Sequence, residues 1–488
     1  MLPKPEELFN REGEWSELSR FATNDVVGAT LGLVYGRRRQ GKTLLLELLT
    51  ESTGGFLATG LEQSSVMNLA SIGSAYAAYA GLGAPVSFGS WEHAVDALLA
   101  LGEREAPTPV VLDEFPYLAA TAPELPSIIQ RALSPRGRAR RRSRARLVLC
   151  GSAFSMMRDL LSGTAALRGR APREVVLHPF GYRESAEFWT LCGRWELAAR
   201  VHALCGGTPA YLDYCAGDVP ADLADFDEWV VRNLLNPASA FFREGRVLVS
   251  EEPDLRDVSL YFSVLTALAS GHTRRSQLAA ALGRKEGALA HPLTVLEEAR
   301  LIAAQQDALR SRRTTYRVAE PMLRFHQLVI APREARLSRG RRAQIWDELS
   351  GTVNSRILGP HFEELARQWA REHAAERTVG GLASLVGPTV LHSPADRSQH
   401  ELDVVVVEDE AERPRRVCAI GEAKWRADPV GCEQLVRLRR LRSLLPAQQQ
   451  PVRLLLFSRA GFEPALLREA AADPDAELID LERLYLGD

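Results

Sequence analysis

The period of apolar positions changes several times along the chain, and each change marks an element boundary. Leu31–Tyr35 (LGLVY) is a short continuous apolar run of the kind a buried strand shows. A glycine-containing turn follows, and Thr43–Leu49 (TLLLELL) then carries a helical pattern. Val110–Leu112 and Leu147–Cys150 are further short apolar runs separated by helical stretches. Strands alternating with helices predict a parallel α/β sheet. From about residue 185 to 245 the pattern becomes helical, with EFWTL, AARVHAL and FDEWVVRNLL as amphipathic pieces, which predicts a helical lid after the sheet.

Three helical segments follow at Ser259–Ala269, Arg275–Leu282 and Gly287–Glu298. Leu301–Ala304, an Arg-rich turn and Thr314–Val318 complete the order of a winged helix-turn-helix, with Arg310, Arg312 and Arg313 in the wing. Residues 332–345 (PREARLSRGRRAQI) read as a basic linker. The last domain opens from Trp346 with the helical ILGPHFEELARQWARE and continues with strand-like runs at Leu402–Val407, Val417–Ala423 and Val452–Phe457. A helix near 433–445 separates the last two. The expected division is therefore 1–183 (α/β core), 184–250 (lid), 251–331 (winged helix-turn-helix), 332–345 (linker) and 346–488 (a second α/β domain).

Composition narrows the function classes. The 488 residues are 46% apolar and 25% charged, ordinary globular values with room for several cores. With 60 basic against 62 acidic residues the net charge is −2, so any nucleic-acid surface must be local. Only Lys4, Lys42, Lys285 and Lys424 are lysines; the other 56 basic residues are arginine. Runs such as Arg136–Arg146, with seven Arg in eleven positions, therefore say little and read as a solvated, partly disordered loop. A compact ammonium is not replaceable by Arg where chemistry needs it, which directs attention to Lys42 and Lys424. Residues 255–326 hold eleven Arg/Lys against six Asp/Glu, a local excess that suits DNA contact. The six cysteines form no CxxC pair and the ten histidines show no metal or triad spacing, so zinc and triad-hydrolase chemistry are unsupported. With no signal-like start and no apolar stretch of membrane length, a soluble cytoplasmic protein without a membrane partner is expected.

Gly36-Arg37-Arg38-Arg39-Gln40-Gly41-Lys42-Thr43 satisfies GxxxxGK[ST] between a strand and a helix, the context a phosphate-binding loop requires. The glycines let backbone N–H groups face phosphates, and the helix N-terminus adds a favourable dipole. Lys42 is placed to hold β and γ oxygens of ATP, and Thr43 to ligate Mg²⁺. Val110-Val111-Leu112-Asp113-Glu114 is an apolar strand ending in two carboxylates, similar to Walker B. Asp113 is then a Mg²⁺ holder and Glu114 the general base for the attacking water.

Over roughly residues 5–330 the chain resembles the archaeal-type AAA ATPases, a branch near the STAND NTPases. Phe9-Asn10-Arg11-Glu12 is similar to the box that precedes the P-loop and lines the adenine site in that family, with Leu18 falling late. Leu147–Ser152 resembles the sensor-1 strand, which implies a place for Ser152 near the γ-phosphate. Leu167-Arg168-Gly169-Arg170 is similar to the LYGR segment, with Arg168 where Tyr is usual and Arg170 as an arginine finger between subunits of a homo-oligomer. Cys205–Pro209 resembles the GGxP lid motif, whose proline, here Pro209, packs near the base.

Asp403, nineteen residues before Glu422, and Glu422-Ala423-Lys424 are the informative segments of the last domain. On a strand, Glu422 and Lys424 share a face. With Glu363 on the preceding helix, the order resembles the PD-(D/E)XK nuclease core over about 346–460. The resemblance implies Asp403, Glu422 and Glu363 around Mg²⁺, and Lys424 orienting or activating the hydrolytic water. Leu402 stands where that family has Pro, and Gln434 on the following helix is near enough in sequence to touch the site. The expectation is an ATPase whose nucleotide state controls DNA binding and Mg²⁺-dependent cleavage. The alternative is a nucleotide-driven switch with an inactive nuclease-like scaffold.

Overall fold

The computed structural model describes residues 2–488 apart from 164, 253, 254, 256, 311, 312, 394–396, 410–414 and 446–450, so Arg312 lies outside the described residues. Two compact units emerge. Residues 2–179 with Thr208–Ala210 and Glu252 form the first, and Phe180–Gly207, Tyr211–Glu251 and the described residues of Leu255–Asp488 form the second.

The first unit is built on five parallel strands: β1 (Thr30–Tyr35), β2 (Phe56–Thr59), β3 (Thr108–Asp113), β4 (Ala145–Gly151) and β5 (Arg173–Val176). Their order is β2-β3-β4-β1-β5. Every residue of β3 and β4 is buried. Helices cover both faces, so the central strands read as unbroken apolar runs. Leu31, Leu33 and Tyr35 pack on one side with Trp91 and Leu98, while Val34 packs on the other with Trp15, Leu45 and Leu49. β2 and β5 give no sequence signal because each is a four-residue edge strand, and β5 begins with two exposed residues.

The arginines of the run are solvent-exposed from Arg136 to Arg142, but it is not a loop throughout. Arg138–Arg142 is a short helix, and Arg146 is a buried residue of β4. Its guanidinium donates to the carbonyls of Asn24, Val26 and Gly28 at 2.5 to 2.9 Å. Arg140 and Arg144 add bonds to the carbonyls of Ala29 and Asp25. Backbone oxygens in the turn before β1 have no ladder partner there, and a fork of N–H donors satisfies several of them at once.

The second unit contains β6 (Ile302–Gln306) and β7 (Thr314–Val318), an antiparallel pair, and a five-stranded mixed sheet. That sheet consists of β8 (Leu385–Ser393), β9 (Ser398–Glu408), β10 (Arg416–Lys424), β11 (Arg453–Ser458) and β12 (Ala476–Ile479), in the order β12-β11-β10-β9-β8. β8, β9 and β10 are antiparallel, whereas β10, β11 and β12 are parallel. Alternation sorts its faces: Val404 and Val406 join one core with Phe362 and Trp369, while Val405 and Val407 join another with Leu435 and Leu438.

Two segments differ from the sequence reading. Residues 184–250, expected as a lid, share the core of the mixed sheet. Tyr182 Oη donates to Leu484 O at 2.7 Å, and His202 Nδ1 lies 2.9 Å from His361 Nε2. The amphipathic pattern revealed the apolar face of these helices, but not which surface would cover it. Within the expected linker 332–345, Glu334–Ser338 is helical, fixed by the Arg246–Glu334 ion pair and buried Leu337. The helices Val258–Ala269, Arg275–Ala281 and Ala290–Glu298 pack around one apolar cluster with β6 and β7. The expected wing is docked on β8: Ala308 N donates to Pro388 O at 3.0 Å and Thr389 Oγ1 to Asp307 Oδ1 at 2.6 Å.

Candidate functional site

In the first unit, β1 ends at Tyr35 and the loop from Gly36 to Gly41 leads into the helix Lys42–Thr53. Gly36 has to be glycine because a Cβ there would stand 2.5 Å from Leu177 O. Gly41 adopts φ +82°, a left-handed conformation that side chains disfavour. Lys42 is buried, and its Nζ donates to the carbonyls of Gly36 and Arg37 at 2.9 and 2.8 Å. Burial lowers its pKa, an effect the nearby carboxylates of Glu114 and Asp113 oppose.

Strand pairing brings the end of β3 to this loop. Thr43 Oγ1 donates to Asp113 Oδ2 at 2.8 Å, and Asp113 Oδ1 accepts the Glu114 amide at 2.9 Å. Glu114 stands at φ +47°, the bend by which the chain leaves the strand. Ser152, just after β4, donates to Glu114 Oε2 at 2.9 Å and lies 3.1 Å from Oε1. Thr43, Asp113, Glu114 and Ser152 thus form one hydrogen-bonded chain, with Lys42 next to it and within the field of the two carboxylates.

Arg11 sits at the start of the first helix, 6% exposed, and its guanidinium donates to Gln40 O at 3.2 Å and His178 O at 2.8 Å. It braces the phosphate loop. Gln40 Nε2 donates to Thr208 Oγ1 at 3.2 Å, which places the Thr208-Pro209 pair beside the loop. Arg38 donates to the Tyr117 hydroxyl at 2.5 Å, while Arg37 is buried and Arg39 has φ +67°. Arg170 lies in the turn after Leu167, its amide bonded to Leu167 O, and Arg168 donates to Gly163 O. Tyr117 carries no motif, and Thr208 is the variable position of the GGxP segment, so the sequence gives no reason to single out either side chain.

In the second unit, Gly421 pairs with Val404, so Asp403 comes beside Glu422. Asp403 Oδ2 accepts the Ala423 amide at 2.9 Å and lies 3.8 Å from Lys424 Nζ, which also pairs with Glu422. Glu422 is 2% exposed; its Oε1 has Arg437 at 3.1 Å but no aligned hydrogen bond. Burial and the neighbouring Asp403 raise the Glu422 pKa. Glu363 is raised to about 7, by burial first and then by the charges of Asp403 and Glu401. Gln434 Oε1 is buried without a hydrogen-bond partner. Among the described residues no group of three or more Asp, Glu, His or Cys side chains is arranged to hold a metal. Buried Glu422, with one oxygen lacking an aligned donor, and half-buried Asp403 are hard ligands that fit Mg²⁺, which commonly takes one or two carboxylates and completes its shell with water and phosphate oxygens. Arg437 and Arg367, whose guanidinium donates to Asp403 O at 2.9 Å, were not singled out from sequence.

No helix among the described residues is long and apolar enough to cross a membrane. No protein-family model matches the sequence, and no curated protein matches it. Among solved structures, a Walker-type ATPase of Pyrococcus abyssi is 21% identical, covers 67% of this chain and 98% of its own, and superposes with a TM-score of 0.51. The ORC2 protein of Aeropyrum pernix is 19% identical over 72% of this chain and 96% of its own, at a TM-score of 0.38. A STAND protein of Pyrococcus horikoshii with a tetratricopeptide-repeat sensor is 15% identical over 76% and 51%, at 0.28. The Pyrococcus abyssi likeness concerns the fold alone. Together with the parallel sheet and the strand-loop-helix geometry at Gly36–Thr43, it shows that this chain has a P-loop NTPase fold.

Proposed function

We propose that this protein binds and hydrolyses ATP in its first unit and uses the nucleotide state to control DNA binding and metal-dependent phosphodiester cleavage by its second. The contact between Thr43 and Asp113 carries the ATPase reading, because it joins the phosphate loop to the acidic strand end where Mg²⁺-ATP chemistry needs both. Mg²⁺, when bound, neutralises charge developing on the phosphates. Lys42 exchanges its two carbonyl acceptors for β and γ oxygens. Glu114, oriented by Ser152, accepts a proton as a water oxygen forms its bond to the γ-phosphorus and the bond to the β–γ bridging oxygen breaks. The products are ADP and phosphate. Arg11 and Pro209 position the loop and the base, and Arg170 is the charge offered to a neighbouring copy.

In the second unit, Asp403 and Glu422 are the proposed Mg²⁺ holders with Glu363 beside them, and the metal would polarise the scissile phosphate. Lys424 orients the water that bonds to phosphorus; the phosphorus–oxygen ester bond breaks, and the departing sugar oxygen takes a proton. DNA reaches this site through the three-helix and hairpin region, read as a winged helix-turn-helix. The experiment is incubation of the full chain with Mg²⁺, ATP and plasmid or linear DNA, following phosphate release and strand scission separately. Phosphate release without scission supports the second reading, a non-cleaving switch. One observation favours that alternative: Lys424 and Arg437 already neutralise Glu422 internally.

A further inference from the structure

Period-two alternation puts Arg313, Thr315 and Arg317 on one face of the β6–β7 hairpin, with Gln305 and Asp307 beside them. That face is one wall of a cavity of about 230 Å³. The facing wall is a single helix face, Pro360, Glu363 and Arg367, continued by Glu401 and Asp403 of β9. Glu363 and Asp403 of the proposed cleavage site therefore share a narrow space with the hairpin's cations, whereas Glu422 and Lys424 do not line it. Arg324 also lines it: its guanidinium donates to Val318 O at 2.9 Å and, among the described residues, forms no ion pair. Thr389 and Ala308 fasten the hairpin to β8, so this wall is fixed.

We infer that this cavity takes an unpaired polynucleotide strand, with Arg313, Arg317 and Arg324 holding phosphates next to the one presented to Glu363 and Asp403. The inference rests on the cleavage reading above and specifies its substrate. Arg313 pairs with Asp307 at 3.8 Å and Arg317 with Glu364 at 3.0 Å, while Arg324 forms no ion pair among the described residues; the N–H donors each guanidinium has left over suit a polyanion, and carboxylates opposite them suit the metal that one of its phosphates brings. Size selects the strand. The cavity is smaller than drug-ligand pockets of roughly 300–1,000 Å³. A space of this size suits one unpaired nucleotide at a time, whereas a B-form duplex, broad enough to carry a groove of ~12 Å on one side, does not enter it. The hairpin face that would insert into a groove is instead turned toward the catalytic carboxylates.

The test uses the full chain with fluorescein-labelled dT20, rU20 and a closed 20-base-pair hairpin duplex, read by anisotropy in EDTA and by scission in Mg²⁺. Expected are at least tenfold tighter binding of an unpaired strand than of duplex, and scission confined to unpaired strands. An Arg313→Ala/Arg317→Ala chain should lose at least tenfold in strand affinity while keeping its ATPase rate. Its salt slope should fall by about 1.4, two phosphate contacts at ~0.7 each for single strands. Because Arg313 also pairs with Asp307 and Arg317 with Glu364, Thr315→Glu is the second variant: it breaks no ion pair and places a negative charge in the cavity, and it should weaken strand binding equally. Equal duplex and strand binding, or unchanged affinity in both variants, overturns the inference. Strand binding that depends on these residues, with no scission of any substrate, supports the strand site and refutes only the cleavage reading.

Discussion

Thr43 and Asp113, seventy positions apart in the chain, share a 2.8 Å hydrogen bond at the mouth of the phosphate loop. The bond depends on β3 and β1 both lying against β4, so the site is a product of strand order. Replacing Lys42 with Ala should weaken ATP binding by at least about tenfold, or ~1.4 kcal/mol. Fluorescent-nucleotide titration checks this; an unaltered dissociation constant would remove Lys42 from the phosphate site.

Glu114→Gln should bind ATP normally and hydrolyse it roughly 10²–10⁴-fold more slowly, the usual contribution of a general base. Ser152→Ala leaves the carboxylate in place but unoriented, so a loss of about tenfold in kcat with little change in KM is expected. Steady-state phosphate release separates the two. A larger loss in the serine variant than in the glutamine variant would reverse the roles.

Asp403→Asn and Lys424→Ala should abolish scission while leaving ATP turnover intact, since both residues belong to the second unit. Gel assays of strand scission alongside phosphate release provide the check, and cutting that survives in the combined variant contradicts the assignment.

Arg146→Leu fills the space but takes the donor from the carbonyls of Asn24, Val26 and Gly28. Asn24 and Val26 are exposed, so water can reach their carbonyls; the buried Gly28 carbonyl left unsatisfied costs ~1–3 kcal/mol, and a loss of about that size is expected. Urea denaturation measures it, and a midpoint equal to that of the native chain would show that water replaces the guanidinium.

Acid should loosen the second unit through its buried imidazoles. Burial lowers the His202 pKa to about 4, and burial with the neighbouring His202 lowers His361 as well. An unfolded imidazole titrates near ~6.5, so between about 6.5 and 4 the unfolded chain binds more protons and stability is lost as the pH drops through that window. Full stability is present above about 6.5, and the limit for His202 is roughly 3 kcal/mol. Thermal melts at pH 7.5 and 5 should show the drop, smaller in the His202→Leu/His361→Leu chain; His326, pushed to about 4 by burial, keeps part of it. Greater stability at pH 5 would contradict the assignment of neutral rings.

The phosphate loop was legible in the chain because its requirements are local: glycine where the backbone nears Leu177 O or turns left-handed, and Lys-Thr opening a helix. The buried strands were legible for the same reason, since covering both faces leaves a continuous apolar run. Which surfaces meet was not. The lid-like helices, Arg146 and the hairpin arginines have the same composition whether they face solvent, a neighbouring sheet or a cavity. Only the order of strands and the packing of β8 against the hairpin decided that Arg313 and Arg317 look toward Glu363 and Asp403. Local backbone geometry is written in neighbouring residues, whereas contacts across dozens of positions follow from how whole faces exclude water.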